Sequence, residues 1–401
     1  MNDRNILIVS AVFPPEPVVS ARLSSDIYCE LINLNCRVKV FHPKPSRPKG
    51  FVFDGSIAYK DNEIISNSYV CPQSSLIGRF LESFSFGKAA AQYVGRFYKE
   101  IGVIYANTWP LFGQYYLIKT AKKYNIPCII HVQDIYPESY CQKLPKLLGG
   151  ILYKMFLPID KYVLKYAMGV IAISPTMIHY LSESRGVDEM KFMLVRNWQN
   201  DRAYIETYTP LKEKNRVCEI MYLGSINPTA NVPLIIDAIS DLNNNKYHLS
   251  VIGDGPEKEH CIEIARYLDL NVTFDTVMPE QVASKQAKAD ILVLCLKKGV
   301  AKTATPSKLT AYMLTGRPII ASVDLDSDCA NIIRESGCGL VVEPENAKAL
   351  AVAIENINGK NVDEQRAMGK KAYDYALENL SKQKNLKKLV NVILNTRNDR
   401  N

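Results

Sequence analysis

Short apolar runs rich in Ile and Val alternate along the chain with longer segments whose apolar positions recur every three or four residues. The first pattern is that of strands covered on both faces and the second that of crossover helices, so parallel sheets are expected. In the first half, strands are expected at 5–10, 37–42, 103–107, 126–132 and 169–174. A helix over 21–33 sets Leu23, Ile27, Leu31 and Leu34 on one face. The same alternation restarts in the second half, with strands expected at 219–223, 248–253, 272–275, 291–296, 318–322 and 339–343. Between the two series lies a polar stretch from Arg196 to about Arg216. From Asp363 onward the chain is charged and helical, with no further strand. The fold class expected is α/β: two Rossmann-like, doubly wound parallel-sheet domains. The division is 1–198, 199–362 and a helical segment 363–401 that packs back toward the first domain.

The length of 401 residues agrees with two domains, and 47% hydrophobic with 22% charged residues is an ordinary globular balance. No apolar run is long enough for a membrane span. The run Ile6–Val9 is too short for a secretory core, so a cytoplasmic protein is expected. Ten dispersed cysteines without a C-x-x-C pair point to reduced, mostly buried thiols.

Charge divides unevenly. Residues 1–200 hold 23 Lys and Arg against 15 Asp and Glu, whereas residues 201–401 hold 26 of each, so the net +8 lies in the first half. That half faces an anionic partner such as a nucleic acid, a membrane surface or a phosphorylated substrate, unless the asymmetry is compositional drift. Residues 76–84 set Leu76, Ile77, Phe80, Leu81 and Phe84 on one helical face, which suits either core packing or a membrane surface.

Several chemistries are excluded. The first strand leads into Ser10-Ala11-Val12-Phe13-Pro14-Pro15 with no glycine, and Gly253-Asp254-Gly255-Pro256-Glu257-Lys258 lacks the third glycine of a dinucleotide fingerprint. No Walker A sequence occurs. Asp324-Leu325-Asp326 reads as a solvated loop, and the five histidines lack ligand spacing, so no metal is expected.

Phosphate chemistry fits better. Thr303, Thr305, Ser307, Lys308 and Leu309 open a helical run that stops at Gly316-Arg317-Pro318. A helix start with hydroxyls and a cation suits a diphosphate. Gly224 and Ser225 follow the first strand of the second half, and Gly253 and Gly255 follow the next, so three loops converge on one sheet edge. At the equivalent edge of the first half stand Glu16, Ser20 and Arg22, then His131, Gln133, Asp134 and Glu138. His131 and Gln133 share a strand face, and Asp134 falls at the strand end.

At these residues the chain resembles the nucleotide-sugar-dependent glycosyltransferases of family 4, with the GT-B fold of two domains facing a central cleft. Within them it is most similar to the bacterial enzymes that build O-antigen and capsule repeat units, the N-acetylfucosamine transferase group. The carriers span nearly the whole chain. They are Phe13-Pro14-Pro15-Glu16 with Arg22, Asp134-Ile135-Tyr136-Pro137-Glu138-Ser139, Arg196-Asn197-Trp198, Tyr222-Leu223-Gly224, Val251–Gly255, Ala289-Asp290, and Pro306-Ser307-Lys308 through Gly316-Arg317-Pro318.

The resemblance implies a retaining, metal-independent transfer with no cofactor, from a UDP- or GDP-sugar to an undecaprenyl-diphosphate-linked acceptor. The donor would lie on Gly224, Ser225, Gly253, Gly255, Thr303, Thr305, Ser307, Lys308 and Leu309. His131 and Asp134 would be catalytic, and Glu16, Ser20, Arg22 and Glu138 would lie on the acceptor side. An anionic membrane surface, not nucleic acid, would be the larger partner, at the inner face of the cytoplasmic membrane. The family's paired glutamates map to Thr303 and Ala311, its Arg and Lys to Ser225-Ile226-Asn227, and its histidine to Gln133. A degenerate GT-B scaffold, or a nucleotide-sugar 2-epimerase of the same fold, is the alternative.

Overall fold

The computed structural model describes residues 5–46, 60–71, 75–142, 144–211, 217–242, 245–301 and 307–396. The chain forms two compact units, one of residues 1–196 with 385–401 and the other of residues 197–384. The segment that rejoins the first unit is thus shorter than 363–401. Its attachment includes a hydrogen bond from the Arg196 backbone N–H to Asn385 Oδ1 at 3.0 Å.

The first unit is built on seven parallel strands: β1 (Asn5–Ser10), β2 (Arg37–Pro43), β3 (Glu63–Ser66), β4 (Val103–Asn107), β5 (Cys128–Val132), β6 (Gly169–Ala172) and β7 (Phe192–Leu194). Their order is β3-β2-β1-β4-β5-β6-β7, which places the switch point between β1 and β4. The helices that matter for function are α1 (Val19–Asn33), α2 (Leu76–Phe97), α3 (Phe112–Lys123), the single turn α4 (Glu138–Cys141), α5 (Lys146–Tyr166) and α6 (Pro175–Arg185). Ile104, Ala106, Ile130, Val132 and Ala172 pack on one face of this sheet with Leu117, Val163 and Leu181 from the helices. Helix coverage of both faces explains why the central strands read as unbroken apolar runs.

The second unit has six parallel strands: β8 (Cys218–Leu223), β9 (Tyr247–Ile252), β10 (Val272–Asp275), β11 (Ile291–Cys295), β12 (Ile319–Ser322) and β13 (Gly339–Val342), in the order β10-β9-β8-β11-β12-β13. Its switch point lies between β8 and β11, and the helix Ser307–Thr315 follows β11. Each expected strand is present, with ends no more than about two residues away; the one expected from 126 begins at Cys128. The expected strands omit β3 and β7, short strands at the two edges of the first sheet. The amphipathic stretch 76–84 opens the 22-residue helix α2.

One expectation is corrected. Asp324 does not sit in a solvated loop: its carboxylate is buried and accepts the Gly299 backbone N–H at 2.9 Å on both oxygens.

Candidate functional site

In the second unit, the loops after β8 and β9 lie backbone against backbone. Gly224 N–H donates to Ile252 O at 2.8 Å, and Ile226 N–H donates to Asp254 O at 2.9 Å. Gly224, Gly253 and Gly255 hold φ of 149°, 148° and 156°, a region that residues with a Cβ avoid. A Cβ on Gly253 would overlap the Gly224 carbonyl, and one on Gly255 would overlap the Ile226 carbonyl. Glycine is therefore required twice over, by conformation and by space.

Lys308, in the first turn of Ser307–Thr315, reaches over this floor. Its Nζ donates to Tyr222 Oη, lies 3.4 Å from Ser225 O and sits 4.4 Å from the centre of the Tyr222 ring. Tyr222 Oη donates in turn to Ser225 O at 2.6 Å. Burial lowers the Lys308 ammonium from its ordinary value to about 8. Among the described residues Lys308 makes no ion pair, so the cation is available to a ligand anion. Tyr312 braces the same corner: Leu223 N–H donates to its hydroxyl at 2.8 Å. Glycines without side chains let a ligand approach these loops closely, and the cation beside them has the charge to meet a diphosphate.

Thr303 and Thr305 lie outside the described residues, as does the side chain of Ser307. Leu309 is a core residue at 1% exposure, so only its backbone can serve a ligand. Arg317, from the helix stop, is buried and donates to the carbonyls of Ala287, Ala289 and Thr209 at 2.5, 2.9 and 2.8 Å. It fastens the loop around Thr209 to this sheet and does not face a ligand.

In the first unit, a cavity of about 260 Å³ opens at the carboxyl ends of β1, β4 and β5. Its lining joins Ser20 with Asn107, Thr108 and Trp109, Gln114, His131 to Asp134, and Asp160. A hydrogen-bonded chain supports one wall: Ser20 Oγ donates to Gln133 Oε1 at 3.1 Å, and Gln133 Nε2 donates to Asn107 Oδ1 at 2.9 Å. Asn107 Nδ2 donates to Ser24 Oγ at 3.0 Å, which lies 2.8 Å from Ser10 Oγ. His131 is 2% exposed, with Nδ1 2.7 Å from Tyr105 Oη. Its Nε2 meets no hydrogen-bonding partner among the described residues. Burial pushes the imidazole down to about 4, so it is neutral at physiological pH. Asp134 is exposed at the rim. Amides, hydroxyls, an indole and one neutral imidazole suit a polyhydroxylated ligand.

Of the residues expected on this side, Ser20, His131 and Asp134 come together at the cavity, and Glu138 and Glu16 do not line it. Glu138 is buried against Arg185, whose Nη1 and Nη2 reach its two oxygens at 2.9 and 2.7 Å, while Tyr180 Oη donates to it at 2.7 Å. Burial alone would raise the Glu138 carboxyl, but these hydrogen bonds take it below its ordinary value. Arg185 also donates through Nε to Asp160 at 2.6 Å and through Nη2 to the Tyr136 carbonyl at 2.7 Å. Burial outweighs the Arg185 contact at Asp160 and raises its carboxyl to about 6. Arg185 thus holds the 134–138 turn and one cavity wall together. Glu16 is buried and accepts the Ser46 N–H at 2.6 Å, with burial raising it to about 7. Arg22 lies half-buried near the start of α1 and is not part of the cavity lining.

Asn107, Thr108 and Trp109 are cavity residues that the motifs of the sequence do not mark. They follow β4, and the same strand-end rule that found His131 reaches them.

Two all-parallel α/β units, one with glycine-lined loops and a lysine at its strand ends, are the architecture of the GT-B class of nucleotide-sugar-dependent proteins. Sequence models agree: glycosyl transferases group 1 matches residues 218–358, and glycosyltransferase family 4 matches residues 21–200. The chain belongs to glycosyltransferase family 4. The probable glycosyltransferase WbjE of Pseudomonas aeruginosa is 21% identical over 243 residues, 57% of this chain. The match spans 59% of the length of that relative. HepE of Anabaena, solved in complex with UDP, superposes with a TM-score of 0.65 at 13% identity, over 97% of this chain and 99% of its own. WaaG, a glycosyltransferase involved in lipopolysaccharide biosynthesis, gives 0.65 at 15% identity, over 98% and 100%.

Proposed function

We propose that the protein is a retaining glycosyltransferase that moves a sugar from a UDP- or GDP-sugar to a lipid-diphosphate-linked glycan, in the assembly of a bacterial O-antigen or capsule. The observation that carries this reading is Lys308, a half-buried cation without an ion-pair partner among the described residues, held over the Gly224–Ser225 floor.

In this reading the bond between the anomeric carbon and the donor diphosphate breaks. A new bond to an acceptor oxygen forms on the same face of the sugar, and the acceptor hydroxyl releases its proton to water. The diphosphate leaves with more negative charge than it bore in the donor. Lys308 is held beside the glycine loops, where that charge grows, so it stabilises the transition state more than the ground state. This role needs no metal ion. The cavity beside His131 takes the acceptor glycan, with Asp134 at its rim. The neutral imidazole of His131 accepts or donates one hydrogen bond and does not act as a cation. UDP is favoured by the likeness to HepE, which binds it. Among the described residues no helix is long and apolar enough to cross a membrane, and a lipid-linked acceptor would be met at the membrane's cytoplasmic face.

A thermal-shift screen against UDP, GDP, dTDP and CMP, with and without EDTA, tests the donor half. Stabilisation by one nucleoside diphosphate that survives EDTA is the expected result. Stabilisation that EDTA abolishes would overturn metal independence, and no response to any of the four would overturn the donor assignment. A scaffold role is the second reading, motivated by Thr303 and Ala311, where the family carries glutamates. Nucleotide binding without turnover on any lipid-linked acceptor would favour it.

A further inference from the structure

Helices α2 and α5 leave large apolar side chains in solvent along matching stripes. On α2 these are Ile77 at 74% exposure, Leu81 and Phe84, spaced i, i+4 and i+7. On α5, Leu147 at 82%, Leu148, Ile151 and Met155 line one face. The stripes flank a common aromatic seam, because Phe80 of α2 lies 5.0 Å from Phe156 of α5 and both rings pack near Phe112 of α3. Isolated exposed apolar residues are ordinary, but seven on two helices that share a seam are not.

The exposed charge on these helices has one sign. Helices α2, α3 and α5 together carry ten Lys and Arg and two acids. The two acids are buried in ion pairs, Glu82 with Arg79 and Asp160 with Arg185. The nine basic residues other than Arg79 are all exposed. Exposed apolar side chains on helices whose exposed charges are all basic do not suit water, and they do not suit a second copy of the same helices, which would oppose like charges. They match a bilayer surface of anionic lipid, where apolar groups enter the acyl boundary and lysines meet headgroup phosphates.

The face adjoins the cavity of the first unit. Arg79 of α2 stacks over Trp109, a cavity residue, at 5.8 Å. Ser83 of α2 donates to the Pro110 carbonyl at 2.8 Å and accepts the Gly113 N–H at 2.9 Å. Beyond Met155, helix α5 contributes Asp160 and Leu164 to the lining.

We infer that the exposed edge of α2 and α5 is a docking surface for an anionic lipid bilayer, which brings the adjoining cavity to the headgroup layer. This rests on the proposed lipid-linked acceptor and names the part of the chain that reaches the lipid.

Sedimentation of the full chain with vesicles tests it, using phosphatidylcholine alone and phosphatidylcholine with phosphatidylglycerol. Retention is expected on the anionic vesicles only, weakened but not abolished by salt. Leu147→Ser with Ile151→Ser removes exposed groups without opening the core and lowers retention by roughly tenfold or more. Lys146→Gln with Lys154→Gln lowers it roughly fivefold per lysine at low salt. Unchanged retention in the Ser pair, or equal binding to neutral vesicles, overturns the inference. A concentration-dependent dimer that the Ser pair abolishes also overturns it, in favour of a second copy. Transfer to an acceptor carrying a short, water-soluble lipid separates the two readings. If that transfer persists while the wild-type chain ignores vesicles, the surface is wrong and the function stands; if it fails while vesicles still retain the chain, the function is at fault.

Discussion

Lys308 Nζ rests 4.4 Å above the ring of Tyr222 and donates to its hydroxyl, which itself donates to the Ser225 carbonyl at 2.6 Å. A ring face and two oxygens hold the ammonium without neutralising it, so the site keeps a full positive charge for a ligand. Lys308→Ala is expected to weaken UDP binding roughly 10- to 100-fold, the worth of one charge-assisted hydrogen bond. Calorimetry on a variant with unchanged thermal stability checks it, and unaltered affinity would remove Lys308 from the donor site.

The same residue sets a pH dependence. Burial brings Lys308 down to about 8, whereas an unfolded lysine titrates near 10.4. A diphosphate prefers the ammonium form, so affinity stays level below about 8 and declines above it. Lys308→Arg, whose guanidinium stays charged, should abolish the decline. Stability runs the other way. Between the two values the unfolded chain holds more protons than the folded one, so folding is favoured as pH rises through that window. Nucleotide titrations from about pH 7 to about pH 9.5 on both proteins decide the point.

Gly253→Ala should fail structurally. At φ 148° a Cβ strains the backbone, and it would strike the Gly224 carbonyl, a group that cannot swing away. A loss of about 1–3 kcal/mol from backbone strain alone is expected, with nucleotide binding falling alongside it. Chemical denaturation gives the first quantity and a UDP titration the second.

Gly224 and Gly253 were legible because glycine directly after a parallel strand marks a loop that a second backbone or a ligand approaches closely. The central strands were legible for a related reason: Ile6–Ser10 and Cys128–Val132 are buried on both sides, which writes an apolar run into the sequence. Strands β3 and β7 lie at the sheet's edges, are short, and carry mixed residues such as Glu63 and Ser66, so no such run marks them. Helix α5 contains Pro158 and exposes Leu147 and Ile151, against the usual rule for helix faces. The pairing of Glu138 with Arg185 spans 47 residues, and with no local spacing to betray it, Glu138 reads from sequence as a cleft residue.

That pairing is structural and should behave so. Arg185→Met leaves Glu138 and Asp160 buried without their shared cation, at a cost of about 3–5 kcal/mol. It also frees the Tyr136 carbonyl and the turn that presents Asp134. UDP binding, which the proposed function assigns to the second unit, should be unchanged in the variant while it remains folded. Urea unfolding alongside nucleotide titration separates these effects, and an equal loss of nucleotide affinity would contradict the division of labour.

His131 offers the sharpest check on the cavity. The imidazole is buried with, among the described residues, only Tyr105 Oη on Nδ1, and burial holds it down to about 4, against an ordinary value near 6.5. Because the folded value lies below the unfolded one, the unfolded chain binds the extra proton between them. His131 therefore costs stability as pH falls from about 6.5 toward 4, on the order of 3 kcal/mol in full, and has no effect above about 6.5. Substitution by Asn, which can still hydrogen-bond Tyr105 but cannot titrate in this range, should flatten that part of the stability profile. The ring signals of His131 should stay constant by NMR from about pH 8 down to about pH 5. An inflection near 6.5 would mean that the imidazole is solvated and charged, and with it the neutral, hydroxyl-binding character assigned to the cavity would fall.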